Sequence, residues 1–146
     1  MISIDELYNK FSGRIYKYFI IRTNISDAED LTSEVFAIAT KNKNKLPDGN
    51  ELAYLYKIAN NIIKEYYKKN KRELKLKKNL IDFAAKDNNI DIRPLAVLTE
   101  QELELLYLQI VDDLSTYEIA VILGISNYAT RKRISRIKNK IKKSQK

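Results

Sequence analysis

The chain of 146 residues contains no cysteine and no histidine. Those two absences remove disulfides, thiolate nucleophiles, Cys/His zinc sites, every histidine-based triad and the imidazole general base. Its three glycines, Gly13, Gly49 and Gly124, stand apart from one another, so no glycine-rich phosphate loop is present. Carboxylates and lysines remain, but this inventory leads us to expect no enzyme, no bound metal and no cofactor. No apolar run approaches the ~20 residues of a membrane span. The opening MISIDELYNKF has no basic segment followed by an apolar core, so it does not read as a signal peptide. A cytoplasmic protein with no membrane insertion is expected. Strand-type alternation is also scarce, which points to an all-α fold.

What the chain does have is charge, unevenly placed. The formal net charge is +8, which favours an acidic partner, most commonly nucleic acid. By segment, residues 1–40 carry −2, residues 41–90 carry +7, residues 91–126 carry −6 and residues 127–146 carry +9. The last block holds nine Lys/Arg and no Asp or Glu. Ordinary surfaces mix signs, so a one-sign block beside structured helices suggests contact with phosphates.

Four sites place Ser or Thr three residues before Glu: Ser3/Glu6, Ser26/Glu29, Thr99/Glu102 and Ser115/Glu118. Each precedes an apolar helical period, and each predicts a helix start through a capping box. Helices are expected over residues 4–22, 27–41, 51–72 and 100–111, with Asn24 and Ser26 making the first turn. Residues 41–50 (KNKNKLPDGN) read as a loop. Residues 73–94 read as a flexible linker, on which Phe83 is a possible docking point. The architecture expected is two small helical bundles, over residues 1–72 and 95–146. Neither is large enough to bury an extensive core.

Residues 114–143 have the plan of a helix-turn-helix. Ser115 caps a first helix carrying Ile119, Ala120, Ile122 and Leu123. Gly124 supplies the positive φ of a sharp stop. Ile125 is expected to be a buried plug, Ser126 a second cap, and Asn127 the start of the next helix. In that helix Thr130, Ile134, Ile137 and Ile141 form the inward stripe. Tyr128, Lys132, Arg133, Ser135 and Arg136 face outward as candidates for the DNA major groove. Lys140 and Lys143 are placed to hold phosphates.

In the helix over residues 51–72, at about 100° per residue, Leu52, Leu55, Ile58, Ala59, Ile62, Ile63 and Tyr66 share one side. Lys57, Lys64, Lys68 and Lys71 share the other, flanked by Tyr54, Asn60 and Asn61. Lysines to follow a backbone, with a ring and amides to meet unstacked bases, suit single-stranded nucleic acid. Taken alone, the pattern fits a solvated helix face equally well. In the preceding helix Asp27, Asp30 and Glu34 share a face, which taken alone is explained by the preference for acids near a helix N-terminus.

Three stretches together carry more information. DAEDLTSEVF (27–36), AYLYKIANNIIKEYYKKNKR (53–72) and LSTYEIAVILGISNYATRKRISRIKNK (114–140) resemble, in order and spacing, the extracytoplasmic-function (ECF) sigma factors of bacterial RNA polymerase. The first two resemble that family's region two and the third its region four. The resemblance implies a sigma factor that binds core polymerase and directs it to promoters. It implies that Asp27, Glu29, Asp30, Leu31, Glu34 and Val35, with Phe36 beside them, dock on core polymerase. It implies that Tyr54, Tyr56, Lys57, Asn60, Asn61, Lys64, Lys68 and Lys71 act at the melted −10 element, and that residues 41–50 hold a flipped-out base. At the −35 element it implies Tyr128, Lys132, Arg133, Ser135, Arg136 and Lys140. Two departures stand out: Tyr54 occupies a position where the family commonly has Trp, and Tyr128, Ala129 and Thr130 replace a frequent Gly-Thr-Val. No sensing extension is recognisable, so regulation is expected from outside, through an anti-sigma factor. The alternatives are a helix-turn-helix regulator that does not replace sigma and a protein-binding adaptor.

Overall fold

The computed structural model describes residues 3–70 and 93–144. Among these residues every regular element is helical and there is no β-strand. They divide into two compact units. The expected linker over residues 73–92, Phe83 and Lys71 lie outside the described residues.

The first unit is a three-helix bundle of α1 (Ile4–Arg22), α2 (Ile25–Lys41) and α3 (Glu51–Lys69), each packed on the other two. Ser3 caps α1 by accepting from the Glu6 amide at 3.1 Å. The start of α2 differs from the sequence expectation. Asn24, not Ser26, is the cap: its side chain accepts from the Asp27 amide at 2.8 Å, and the helix begins at Ile25. Asparagine is as good an N-cap as serine, and here it takes the first-turn donor, which leaves Ser26 exposed on the helix. Leu7, Ile15, Tyr18 and Phe19 of α1, Val35 and Ala39 of α2, and Leu55, Tyr56 and Ala59 of α3 fill the core.

Two neighbouring tyrosines of α3 secure the corner between α1 and α2. The Tyr66 hydroxyl donates to Asp27 Oδ2 at 2.6 Å, and the Tyr67 hydroxyl donates to the Arg22 carbonyl at 2.7 Å. Arg22 is itself buried. Its guanidinium lies 3.7 Å from the Tyr18 ring centroid and donates to the Tyr18 carbonyl at 2.9 Å. A buried arginine is tolerable when stacked and hydrogen-bonded in this way.

The second unit contains α4 (Glu100–Ile110), the first part of α5 (Thr116–Leu123) and α6 (Asn127–Ser144). Residues 93 and 94, expected in the linker, belong instead to a 3₁₀ turn, Arg93–Leu95, that packs on α6. Thr99 and Glu102 form a complete capping box on α4. Ser115 and Glu118 form another on α5: the Ser115 amide donates to Glu118 at 2.9 Å and the Glu118 amide to Ser115 Oγ at 3.1 Å. α5 ends in a Schellman motif, in which the Ile125 amide reaches the Ala120 carbonyl (3.1 Å) and the Gly124 amide reaches that of Val121 (3.3 Å). Gly124 has φ 69°. A Cβ there would meet no atom within 4 Å, so the demand for glycine is conformational rather than steric. Ser126 then caps α6 by accepting from the Ala129 amide at 3.0 Å. Ile125, expected as a buried plug, is half-buried. Thr130, Ile134 and Ile137 are buried with Leu98, Leu103, Leu108 and Ile119, and Ile141 is half-buried, so the inward stripe of α6 lies where its period predicts.

Candidate nucleic-acid and protein interfaces

Three surfaces hold the residues of interest. On α2, Asp30 and Glu34 are exposed and Asp27 is half-buried. All three line a groove of about 580 Å³ between α2 and the second half of α3, whose floor includes Leu31 and Ile62 and whose far wall includes Glu65, Lys68 and Lys69. Asp27 is engaged within the fold, because its Oδ2 also accepts from Asn24 Nδ2 at 3.1 Å. Two members of the expected docking set do not share this surface. Glu29 is exposed but does not line the groove, because two residues from Asp27 is about 200° of helix. Val35 is fully buried, and Phe36 is nearly so, with its ring 5.0 Å from that of Tyr8 in an edge contact. Both support α2 from beneath and offer no side-chain surface.

On α3, Lys57, Asn61, Lys64 and Lys68 form an exposed row, with Tyr54 and Asn60 half-buried on its two flanks. Tyr56 is the main correction to the expected DNA-contacting set. It is 1% exposed and stands edge-on to the buried Tyr18 at 5.6 Å, with the Arg14 guanidinium 5.9 Å from its ring centroid. The α1 helix covers the side of α3 on which Tyr56 and Tyr67 stand, so this ring is core and cannot meet a base in this fold. Before α3, a 3₁₀ turn (Lys43–Lys45) presents exposed Lys43 and Lys45 while Leu46 anchors the loop inward.

On α6, Tyr128, Lys132, Arg133, Ser135 and Arg136 are all exposed, opposite the Thr130/Ile134/Ile137 stripe. Tyr128 is 61% exposed, and the Lys132 ammonium, one turn on, lies 5.3 Å from its ring centroid. Lys140 differs from the rest of its set, because its Nζ is 2.7 Å from Oε1 of Glu102 on α4. The same carboxylate oxygen accepts from the Thr99 amide at 2.9 Å. These hydrogen bonds, that from Lys140 above all, hold the Glu102 carboxyl below the usual carboxylate range. The pairing was not evident from the sequence, since the partners are 38 residues apart. Among the described residues no group of His, Cys, Asp and Glu could hold a metal ion, and no helix is long and apolar enough to cross a membrane.

Residues 5–73 match the family Sigma-70 region 2, and residues 93–141 match Sigma-70, region 4. The chain therefore belongs to the sigma-70 family. Among solved structures, CnrH in complex with the cytosolic domain of CnrY is similar in fold, with 20% identity, a TM-score of 0.68, and coverage of 95% of this chain and 84% of that one. The RsbN–BldN complex contains a chain with 22% identity and a TM-score of 0.40, over 97% of this chain and 90% of that one. No curated protein matches.

Proposed function

We propose that this sigma factor binds core RNA polymerase through the exposed carboxylates of α2, helps open the −10 element with the outer row of α3, and holds the −35 element with α6. The observation that carries this reading is the placement of both charge types on one three-helix bundle. Asp30 and Glu34 stand exposed on α2, and Lys57, Asn61 and Lys64 stand exposed on α3. A factor that must grip a protein and a separated DNA strand at once needs two surfaces of unlike chemistry, and a simple duplex-binding regulator does not.

The −10 contacts on this reading are Tyr54, Lys57, Asn60, Asn61, Lys64 and Lys68, with Tyr56 supporting them from the core. The −35 contacts are Tyr128, Lys132, Arg133, Ser135 and Arg136. Lysines track phosphates, and the Tyr54 ring and the asparagine amides meet unstacked bases. In the major groove Arg133 and Arg136 are the side chains able to make bidentate contacts with guanine edges. The protein contributes no catalytic residue; nucleotide addition belongs to the polymerase. Such a role places it in the cytoplasm. CnrH was solved with the cytosolic domain of CnrY, which supports a protein regulator, an anti-sigma factor, as a further partner here.

The test is run-off transcription with purified core polymerase and this protein on a promoter library, without any other sigma factor. Specific transcripts are expected. Duplex binding without transcripts would overturn the proposal in favour of a helix-turn-helix regulator, and neither would favour a protein-binding adaptor.

A further inference from the structure

The α6 helix carries no acidic residue between positions 127 and 144, so none of its cations can pair within the helix. Lys140 nevertheless has a carboxylate partner, supplied by the first turn of α4. Glu102 Oε1 stands 2.7 Å from the Lys140 ammonium, with side-chain exposures of 45% for the lysine and 24% for the glutamate. Glu102 is also fixed from the other side. Its backbone amide donates to Thr99 Oγ1 at 3.1 Å, while its carboxylate accepts from the Thr99 amide at 2.9 Å. The carboxylate is therefore a rooted anion presented to α6, not a free side chain that happens to reach it. Arg136 and Lys143, a turn away on either side of Lys140, are exposed.

We infer that Glu102 acts as an internal stand-in for a DNA phosphate: it holds Lys140 in the unbound protein and withholds that cation from the duplex. This rests on the reading of α6 as the duplex-binding helix. On that reading each cation that neutralises a phosphate releases condensed counterions and contributes to affinity. A lysine already neutralised by a built-in carboxylate must exchange one anion for another and contributes little. Glu102 thus sets the non-specific part of duplex affinity low, and leaves a larger share of binding to side chains that meet base edges, such as Arg133 and Arg136.

The experiment uses the full chain and a fluorescently labelled duplex of mixed sequence. Binding is followed by anisotropy as salt is raised from roughly 50 to 200 mM, the range over which phosphate contacts dominate the response. Glu102→Gln keeps an acceptor for the capping box and removes the charge, and a circular-dichroism melt verifies that it is folded. It is expected to tighten binding roughly two- to fivefold, the scale of one exposed ion pair, and to steepen the log–log salt slope by roughly 0.9, one phosphate contact. Lys140→Gln in the wild-type background is expected to change little, whereas in the Glu102→Gln background it should erase the gain. An equal gain with and without Lys140 would overturn the inference, because Glu102 would then act only as a distant negative charge. An unchanged slope in Glu102→Gln would overturn it as well. Failure of the wild-type chain to bind any duplex would instead overturn the reading of α6 on which the inference rests.

Discussion

Tyr54 and Tyr56 lie two residues apart on α3 and should fail in opposite ways when truncated. Tyr56 is 1% exposed and packs edge-on against Tyr18. Removing a large buried aromatic side chain costs about 3–5 kcal/mol, of which about 0.5–1.5 kcal/mol is the aromatic pair. A bundle of this size draws no more than about 3–5 kcal/mol from its core. Tyr56→Ala should therefore consume most of the stability of the first unit and lose much of the helical signal of α1–α3 at physiological temperature. Tyr56→Phe keeps the ring and should cost at most about 1.5 kcal/mol. Tyr54 is half-buried on the flank of the lysine row, so Tyr54→Ala should cost only about 1 kcal/mol. That variant should bind core polymerase and closed promoter DNA while opening the promoter poorly. Circular-dichroism melts read the first effect, and permanganate reactivity of unstacked thymines reads the second. A Tyr56→Ala protein with a wild-type melt and defective opening would refute the reasoning, because it would place that ring on the surface.

The remaining expectations concern the other two surfaces. Asp30→Lys combined with Glu34→Lys should abolish co-purification with core polymerase and leave the melt unchanged, since both carboxylates are exposed; undiminished co-purification would rule out α2 as the docking element. Arg133→Ala or Arg136→Ala should weaken −35 duplex binding by about 1–3 kcal/mol and relax base preference at one position, as measured by binding to a set of single-base variants. The Glu102 carboxyl titrates below its unfolded value because Lys140 and the Thr99 amide hold its charged form. The stability it contributes is therefore fully present above the unfolded pKa, about 4.3, and is lost as pH falls through the lower folded value. Because the pair is at the surface the loss should not exceed about 1 kcal/mol, and acid melts of Glu102→Gln should lack it.

The parts of the fold that were legible in the sequence are those set by local chemistry. Ser3, Thr99 and Ser115 cap the helices their spacing predicts, and Gly124 makes the turn that its freedom at positive φ allows. The inward stripe of α6 is also local, because eight cations on one helix of 18 residues leave few other positions to bury. Reading fails where two local solutions compete or where a neighbour decides. Asn24 and Ser26 are equally good caps, and what separates them is the bond from the Asp27 amide. Tyr56 lies at the edge of the apolar arc of α3. Whether that edge is covered depends on where α1 lies, which no periodicity within α3 encodes. Glu29 could have been set apart from Asp27 and Asp30 by helical angle alone. The Lys140–Glu102 pair could not have been foreseen, since neither residue's surroundings name the other.

The adjacent tyrosines at the end of α3 have a mechanical consequence. Tyr66 is fastened to the first turn of α2 and Tyr67 to the last carbonyl of α1, so the two hydroxyls straddle the α1–α2 corner. A tension applied to the outer row of α3 has two short, stiff load paths, one into each neighbouring helix, and both meet the chain within six residues of each other. The bundle should therefore respond to strand separation as a single stiff body rather than by peeling α3 away. The amides of that corner, far along the chain from the lysine row, are where hydrogen exchange should slow when DNA is gripped.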